Sequence, residues 1–283
     1  MPHPAFAKTN LAVITGGASG IGLASAKRFA AFGMRLCLVD LDPARLQAAA
    51  AEIEGAADIL TVAADVGRRE EIDRVRDAVL ERFGPPDVLM NNAGIQPAST
   101  AIHGGDAWSR IIDVNLWGVV HGTQAFVPAM IAHGRPALVI NTGSKQGITT
   151  PPGNAAYNVS KAGVKVFTET LQHELRNTEG CKVAAHLLIP GFVFTGLTAG
   201  DRTEKPAAAW TPEQTADFML AGIEAGDFYI LCPDNDVDRP TDERRMTWAM
   251  GDIVQNRPPL SRWHPEYKTA FESFLQEGQA AKP

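Results

Sequence analysis

Apolar and polar positions follow two distinct rhythms along this chain. Continuous apolar runs over residues 11–15, 35–40, 59–63, 88–90, 137–141 and 183–189 have the length and branched content of buried strands. Between them, apolar residues recur at helical spacing over 21–32, 43–54, 68–83, 107–132 and 155–177. Gly33 and the Gly84-Pro85-Pro86 run stop two of these helices, and Pro43 suits the first position of another. Strands and helices alternating in this way predict an α/β fold, with parallel strands buried on both faces by helices. Right-handed crossovers then give a three-layer, doubly wound parallel sheet.

The rhythm loosens after Gly191. Residues 192–211 mix Gly, Thr, Pro and Lys with a few aromatics and predict a long loop or lid. A helix over 212–225 and a last strand over 228–232 follow, so the main unit spans 8–232. Residues 233–283 predict a helical C-terminal extension, with Trp248, Ala249 and Ile253 at helical spacing within 244–255 and a final helix over 266–276. The extension is too polar to build a second core. A single domain is therefore expected, with an arm packing over its own or a neighbouring subunit.

Composition narrows the possible chemistry. With 45% apolar and 20% charged residues over 283 positions, usage is that of an ordinary globular chain. The net charge of −6, with signs interspersed, disfavours a nucleic-acid partner, which would need a basic stripe. The charge-free run 114–134 includes Asn115, His121, Gln124, Pro128 and His133, so no membrane span is expected. The first ten residues lack a basic stretch followed by an apolar one. Three cysteines, none in a CxxC, complete the expectation of a reducing, cytoplasmic setting. Cys37 and Cys181 are expected to be inert, whereas Cys232 could be exposed, with nothing to activate it. Neither HExxH nor paired Cys/His spacing occurs, so no metal site is expected.

The first strand runs into Thr15-Gly16-Gly17-Ala18-Ser19-Gly20-Ile21-Gly22. Glycines at 16, 20 and 22 let a turn approach a ligand closely, and the next helix aims its free N–H groups at that ligand, which suits a pyrophosphate. Taken alone, such a turn serves equally for close helix–strand packing. Asp40 ends the second strand, where a carboxylate can accept both ribose hydroxyls of an adenosine and repel a 2′-phosphate. Leu41 follows it, and the glycine turn contains no Arg or Lys, so NAD is favoured over NADP. As an isolated residue, Asp40 could equally be a solvated strand end or a helix cap.

Taken in order, the 15–22 turn, Asp40, Asp65-Val66, Asn91-Asn92-Ala93-Gly94, Asn115, Ser144, Tyr157-Asn158-Val159-Ser160-Lys161 and Pro190-Gly191 resemble the short-chain dehydrogenase/reductase family, in its shorter single-domain branch. The resemblance covers about residues 8–232 and implies a Rossmann-type sheet binding a nicotinamide cofactor. It implies that Gly16, Ser19, Gly20, Ile21 and Gly22 form the cofactor turn, with Asp40 and Leu41 at the adenosine end. Asp65 and Val66 would flank the adenine, and Asn92, Ala93 and Gly94 would lie beside the cofactor. Pro190, Gly191, Val193 and Thr195 would complete the site, Thr195 at the nicotinamide carboxamide. Members commonly pair through the two long helices, which implies a homo-oligomer, either dimer or tetramer.

Tyr157 and Lys161 are four residues apart and share a helix face. Alone, that spacing is an ordinary surface pair. The resemblance makes Asn115, Ser144, Tyr157 and Lys161 a catalytic tetrad. Tyrosine, with a reference pKa of about 10, needs on the order of 4 kcal/mol of preference for the phenolate to act as a base near pH 7. An ammonium about 4 Å away supplies a comparable amount at an effective dielectric near 20, against an opposing desolvation cost. An oxidised nicotinamide adds attraction of the same sign. Ser144 would hydrogen-bond the substrate oxygen, although a strand-end hydroxyl can simply satisfy backbone. Lys161 would also hold the nicotinamide ribose and contribute to the cofactor site with Tyr157. Asn115 would join a proton relay with Lys161 through water, although a mid-helix Asn can be a local kink or a buried hydrogen bond.

The expected reaction is hydride transfer between NAD and a secondary alcohol or ketone. Ile95, Gln96, Gln146, Asn154, Phe192, Phe194 and Trp210 are candidate substrate contacts and suggest an apolar or aromatic pocket, although the aromatics could equally pack the lid. Residues 126–136 and His264-Pro265-Glu266-Tyr267 are similar to a bacterial subgroup that includes oxidoreductases of benzylic alcohols from lignin-derived aromatics. Two alternatives stand beside this reading. One is a non-catalytic NAD(H) sensor or scaffold on the same fold. The other is a sugar epimerase or dehydratase of the longer branch, whose T-G-x-x-G-x-x-G turn residues 15–22 do not match.

Overall fold

A computed structural model describes residues 2–280, with side chains described as far as Glu277. In chain order, β1 is Leu11–Thr15, α1 Gly20–Ala31, β2 Arg35–Asp40, α2 Pro43–Glu52, β3 Asp58–Ala63, α3 Arg69–Phe83 and β4 Val88–Asn91. Then come α4 Asp106–Ile112, α5 Gly118–Ala132, β5 Ala137–Thr142, α6 Gln146–Thr149, α7 Ala155–Asn177 and β6 Val183–Ile189. The chain continues with α8 Gly196–Ala199, α9 Pro212–Ala225, β7 Tyr229–Leu231, α10 Arg239–Val254 and α11 Lys268–Ala280.

The strands form one parallel sheet in the order β3-β2-β1-β4-β5-β6-β7, reversing direction of growth at β1 and β4. Alternate residues of the central strands feed two cores. Ile14, Leu36, Leu38, Met90, Ile140 and Leu188 pack with Phe29 of α1 and Met219 of α9. Val13, Val39, Leu89 and Val139 face Val79 of α3, Phe126 of α5 and Leu171 of α7. Burial on both faces explains why these strands read as unbroken apolar runs. Among the described residues, no helix is long and apolar enough to cross a membrane.

Two expectations are corrected, and two gain detail. The helix over 107–132 is not one regular α-helix: residues Asp113–Trp117 between α4 and α5 form a π turn, closed by Gly118 N–H to the Asp113 carbonyl. The lid contains α8, and a bridge between Val193 and Trp210 ties its two ends. Cys232 is buried, beneath Met219 and Ile230, so it is not a surface thiol. The extension, although polar, gathers an aromatic cluster: Trp248 is buried against Phe271 and Phe274, with Arg257 stacked over its ring. On the outer face of the π turn and α7, Trp117, Val159 and Val166 remain exposed.

The amino-terminal end of the sheet is fastened by one carboxylate. Asp87, 1% exposed, accepts Leu11 N–H (2.9 Å) through Oδ2 and Arg135 Nε and Nη2 (3.0 and 2.9 Å) through Oδ1. Its backbone bonds both neighbouring strands, Leu11 and Leu138. Removing the side chain leaves a buried strand amide unpaired. Asp87→Ala is expected to lower the free energy of unfolding by about 3 kcal/mol. Urea denaturation checks this, and a loss below about 1 kcal/mol would mean that water replaces the carboxylate.

Candidate active site

The carboxyl ends of β1, β2, β4 and β5 meet where the strand order reverses, which is where open α/β sheets bind ligands. Two turns are knitted together there. Thr15 Oγ1 accepts Asn92 N–H (2.9 Å) and Ala93 N–H (3.2 Å), while the Asn92 amide donates to the carbonyls of Thr15 and Gly16 (3.2 and 3.3 Å). A Cβ on Gly22 would stand 2.1 Å from the Gly16 carbonyl, so α1 can leave this turn only from a glycine. Ser19 gives α1 no side-chain cap, and the first amides of the helix, at Gly20, Ile21 and Gly22, are left for an anion. Asp40 Oδ2 accepts Ala18 N–H (3.2 Å) and Oδ1 accepts Leu41 N–H (2.8 Å), which pins a carboxylate beside the turn with lone pairs to spare. Leu41 is exposed next to it. An uncapped helix start beside a fixed carboxylate fits the pyrophosphate and ribose of a dinucleotide.

The other expected cofactor residues are placed unevenly. Val66 buries its side chain under the π turn, where a Cβ on Gly118 would meet it at 2.7 Å, and its carbonyl bonds His121. Asp65 Oδ1 caps Gly67 N–H (2.9 Å). Pro190 is buried and accepts Lys145 N–H (3.3 Å). Val193 is buried at the foot of the lid. Thr195 forms a capping box with Thr198 at the start of α8, and its methyl group approaches Gly20, so the lid closes against the glycine turn.

Tyr157, Lys161 and Ser144 converge at the ends of β5 and α7. Tyr157 is buried, which pushes its phenol above the ordinary tyrosine range, and hydrogen bonding with the Ser144 hydroxyl offsets part of that rise. Lys161 is 4% exposed. Its Nζ donates to the Thr142 carbonyl (2.7 Å), and burial pushes its pKa down to about 8. The ammonium stands 5.8 Å from the centre of the Tyr157 ring.

Asn115 is fully buried at the middle of the π turn. Its Oδ1 accepts Ile95 N–H (2.8 Å), and its amide donates to the Ile95 carbonyl (2.9 Å) and Ser160 Oγ (3.2 Å). Both amide hydrogens are engaged, so the side chain has no donor left for a relay. One lone pair of Oδ1 remains. Both Oδ1 and Lys161 Nζ border the space over Gly94, at 3.5 and 3.8 Å from where a Cβ would stand.

The candidate substrate residues separate into two groups. Ile95, Gln146, Phe192 and Phe194 are half-buried. Gln96 donates to the Leu197 carbonyl (3.1 Å) and so links the loop after Gly94 to α8. Asn154 has its polar atoms taken by protein partners. Its Oδ1 accepts Ser99 Oγ–H (2.6 Å) and Tyr157 N–H (3.3 Å), and its amide donates to the Gln96 and Pro97 carbonyls (3.4 and 3.1 Å). With two acceptors and two donors filled, it caps α7 and clasps the 95–99 loop. Trp210 packs edge-on to Phe218 and against the core under α9, so its ring supports the lid.

Several contributors carry no signature in the sequence. Thr142 acts through a carbonyl, which every residue has. Ser99 and Ser160 act through partners 55 and 45 positions away. Asn91, read as part of a cofactor turn, is buried in β4, and its amide donates to Asn141 Oδ1 (2.9 Å), whose own amide donates to Thr168 (3.0 Å). That chain of amides braces β4, β5 and α7 beneath the site.

Comparison with known proteins agrees with this geometry. A family model described as short chain dehydrogenase matches residues 10–206. The 1-deoxy-11-beta-hydroxypentalenate dehydrogenase of Streptomyces exfoliatus is 31% identical over 267 residues, covering 90% of this chain and 94% of that protein. A crystal structure of a short-chain dehydrogenase/reductase from Burkholderia phymatum, in complex with NAD, superposes with a TM-score of 0.80 at 31% identity, covering 89% of this chain and 96% of that one. An alcohol dehydrogenase from Thermococcus sibiricus complexed with 5-hydroxy-NADP gives a TM-score of 0.69 at 28% identity, covering 77% and 91%.

The buried lysine makes a stability prediction. Its pKa of about 8 in the fold lies below the 10.5 of an exposed lysine, so the unfolded chain binds its proton more tightly. Charged Lys161 therefore destabilises the free protein below pH 8, by on the order of 3 kcal/mol, and the penalty fades as pH rises from 8 towards 10.5. Lys161→Met should melt at a higher temperature than the parent at pH 7, with the gap narrowing above pH 8. A variant that melts lower at pH 7 would show that the Thr142 bond outweighs the burial cost.

Proposed function

The chain belongs to the short-chain dehydrogenase family, and from that premise we propose that it is an NAD(H)-dependent oxidoreductase acting on a secondary alcohol or ketone with an apolar or aromatic body. The carrying observation is the buried Tyr157 phenol, with the Ser144 hydroxyl lowering its pKa and the Lys161 ammonium 5.8 Å from its ring centre. Related oxidoreductases and their NAD- or NADP-bound structures support a nicotinamide cofactor. Asp40 supports NAD as the preferred form, because a 2′-phosphate would bring two negative charges against its carboxylate.

In this reading the bound nicotinamide supplies a hydride acceptor, or a donor in reverse, and the chain's own residues manage the proton. Ser144 holds the substrate oxygen against Tyr157 and stabilises charge developing there. Tyr157 takes the hydroxyl proton in oxidation and returns it in reduction. Lys161 lowers the cost of the phenolate. Asn115 fixes Ile95 and, through Ser160, the helix carrying both Tyr157 and Lys161. Phe192, Phe194 and Ile95 form the apolar wall.

An NAD⁺-linked absorbance screen over aliphatic, aromatic, steroidal and sugar alcohols tests the reaction. On any alcohol that turns over, Tyr157→Phe should lower kcat by about 10²–10⁴-fold, with little change in NADH affinity. A variant turning over at the parent rate would remove Tyr157 from the chemistry. Fluorescence titration of the parent should show NADH binding at least about tenfold tighter than NADPH, which corresponds to about 1.4 kcal/mol. Equal affinities would overturn the role given to Asp40.

A further inference from the structure

An ion cluster beside the catalytic pair has no part in the reaction as described so far. Lys145 directly follows Ser144, and its ammonium lies 2.5 Å from Asp242 Oδ2 and 3.3 Å from Asp234 Oδ2. The three side chains are 17%, 6% and 9% exposed in that order. Both carboxylates come from the C-terminal segment: Asp234 just beyond β7, and Asp242 in the first turn of α10.

The cluster joins three stretches of chain. Asp234 Oδ2 also accepts Phe192 N–H (3.4 Å), at the first residue of the lid. Lys145 N–H donates to the Pro190 carbonyl (3.3 Å), and the Lys145 carbonyl accepts the amides of Ile148 and Thr149 (3.1 and 3.0 Å) that start α6. The lysine runs directly against Gly191, where a Cβ would stand 2.9 Å from Nζ and 2.7 Å from Asp234 Oδ2. Glycine at 191 is thus what lets the ammonium reach its partners. The arginines Arg245 and Arg262 bring further positive charge to Asp242 from the same segment.

A buried ion cluster is a poor source of stability, because apolar packing of the same volume does as well or better. What it does supply is geometry. Ser144 is held through its backbone neighbours: Gly143 N–H donates to the Leu188 carbonyl (2.7 Å) on one side, and Lys145 is bonded to Pro190 on the other. Freeing one side would let the hydroxyl drift, and a displacement of about 1 Å in a reacting group can cost about 10²-fold in rate.

We propose that Lys145 is a positioning residue: clamped between Asp234 and Asp242, it fixes Ser144 and the start of the lid together, so that the C-terminal extension completes the active site of its own subunit. The catalytic part of this inference rests on the role proposed for Ser144.

Amide hydrogen exchange of the full chain, with NADH titration beside it, tests the clamp. In Lys145→Met, exchange over 143–150 and over 190–195 should rise together by about tenfold, and NADH should bind about fivefold more weakly. Asp242→Asn, which keeps the Asp234 pair, should give the same pattern at smaller amplitude. The triple variant Lys145→Met/Asp234→Asn/Asp242→Asn removes the ammonium together with both of its carboxylates and should regain much of the melting temperature lost in Lys145→Met. If it does so while exchange stays fast and NADH binding weak, the clamp positions. If exchange and binding recover along with melting temperature, or if only one of the two segments responds to Lys145→Met, the proposal is overturned. A parent chain that binds no NADH would instead overturn the dehydrogenase reading, with exchange still deciding whether the clamp exists.

Discussion

A lysine ammonium buried with no carboxylate at its side is the constraint around which the site is arranged. Among the described residues, Lys161 pairs with no acid, and its one strong bond is to the Thr142 carbonyl at the end of β5. Burial alone accounts for the drop in its pKa to about 8. An adjacent Asp or Glu would relieve that burden, but in the proposed mechanism it would also cancel the charge that favours the Tyr157 phenolate. The site keeps the charge uncompensated and holds it by packing and by a backbone dipole. Rigid support on every side is the structural consequence. Asn91, Asn141 and Thr168 brace the strands below, Asn154 and Ser99 clasp the helix start, and Asn115 anchors the helix from the side.

The π turn at Asp113–Trp117 follows from the same need. Asn115 must offer its whole amide to Ile95 and Ser160, and one widened turn delivers it without breaking the long helix. That turn cannot be read in the sequence. Residues 107–132 are apolar on several faces, so one extra residue in a turn leaves the apparent periodicity intact. The strands were legible for the opposite reason: a parallel sheet covered on both faces needs continuous apolar runs, and nothing else in the chain resembles them. The glycine turn and the Tyr157–Lys161 spacing were legible because each depends on local geometry. The bonds that hold them join residues 45 to 77 positions apart through ordinary Ser, Thr and Asn side chains, whose partners no local pattern announces.

The lid and the extension show the same limit. Trp210 reads as a pocket aromatic when only its neighbours in sequence are known, yet the Val193 bridge turns it towards the core under α9. The extension reads as too polar for a core because its apolar residues are few. Three aromatics from two helices, with an arginine over each ring, make a compact cluster that composition does not reveal.

Lys145 and Lys161 lie sixteen positions apart, the first half-buried and the second buried, and their surroundings differ in kind. In the roles proposed, one is flanked by two carboxylates and serves geometry, whereas the other has none and serves the proton. Exchanging these environments would defeat both. Carboxylates beside Lys161 would neutralise the field at Tyr157, and an unpaired ammonium at 145 would have nothing to hold it against Gly191. The arrangement also keeps acid away from the phenol: Asp234 and Asp242 are both matched to Lys145, so the extension holds the loop after β5 without a carboxylate among the groups that shift Tyr157. A C-terminal arm joined to the loop by apolar contact alone could press on it, but it could not fix one residue beside Ser144 in a single direction. An ammonium held between two carboxylates does so, because each pair restricts the other.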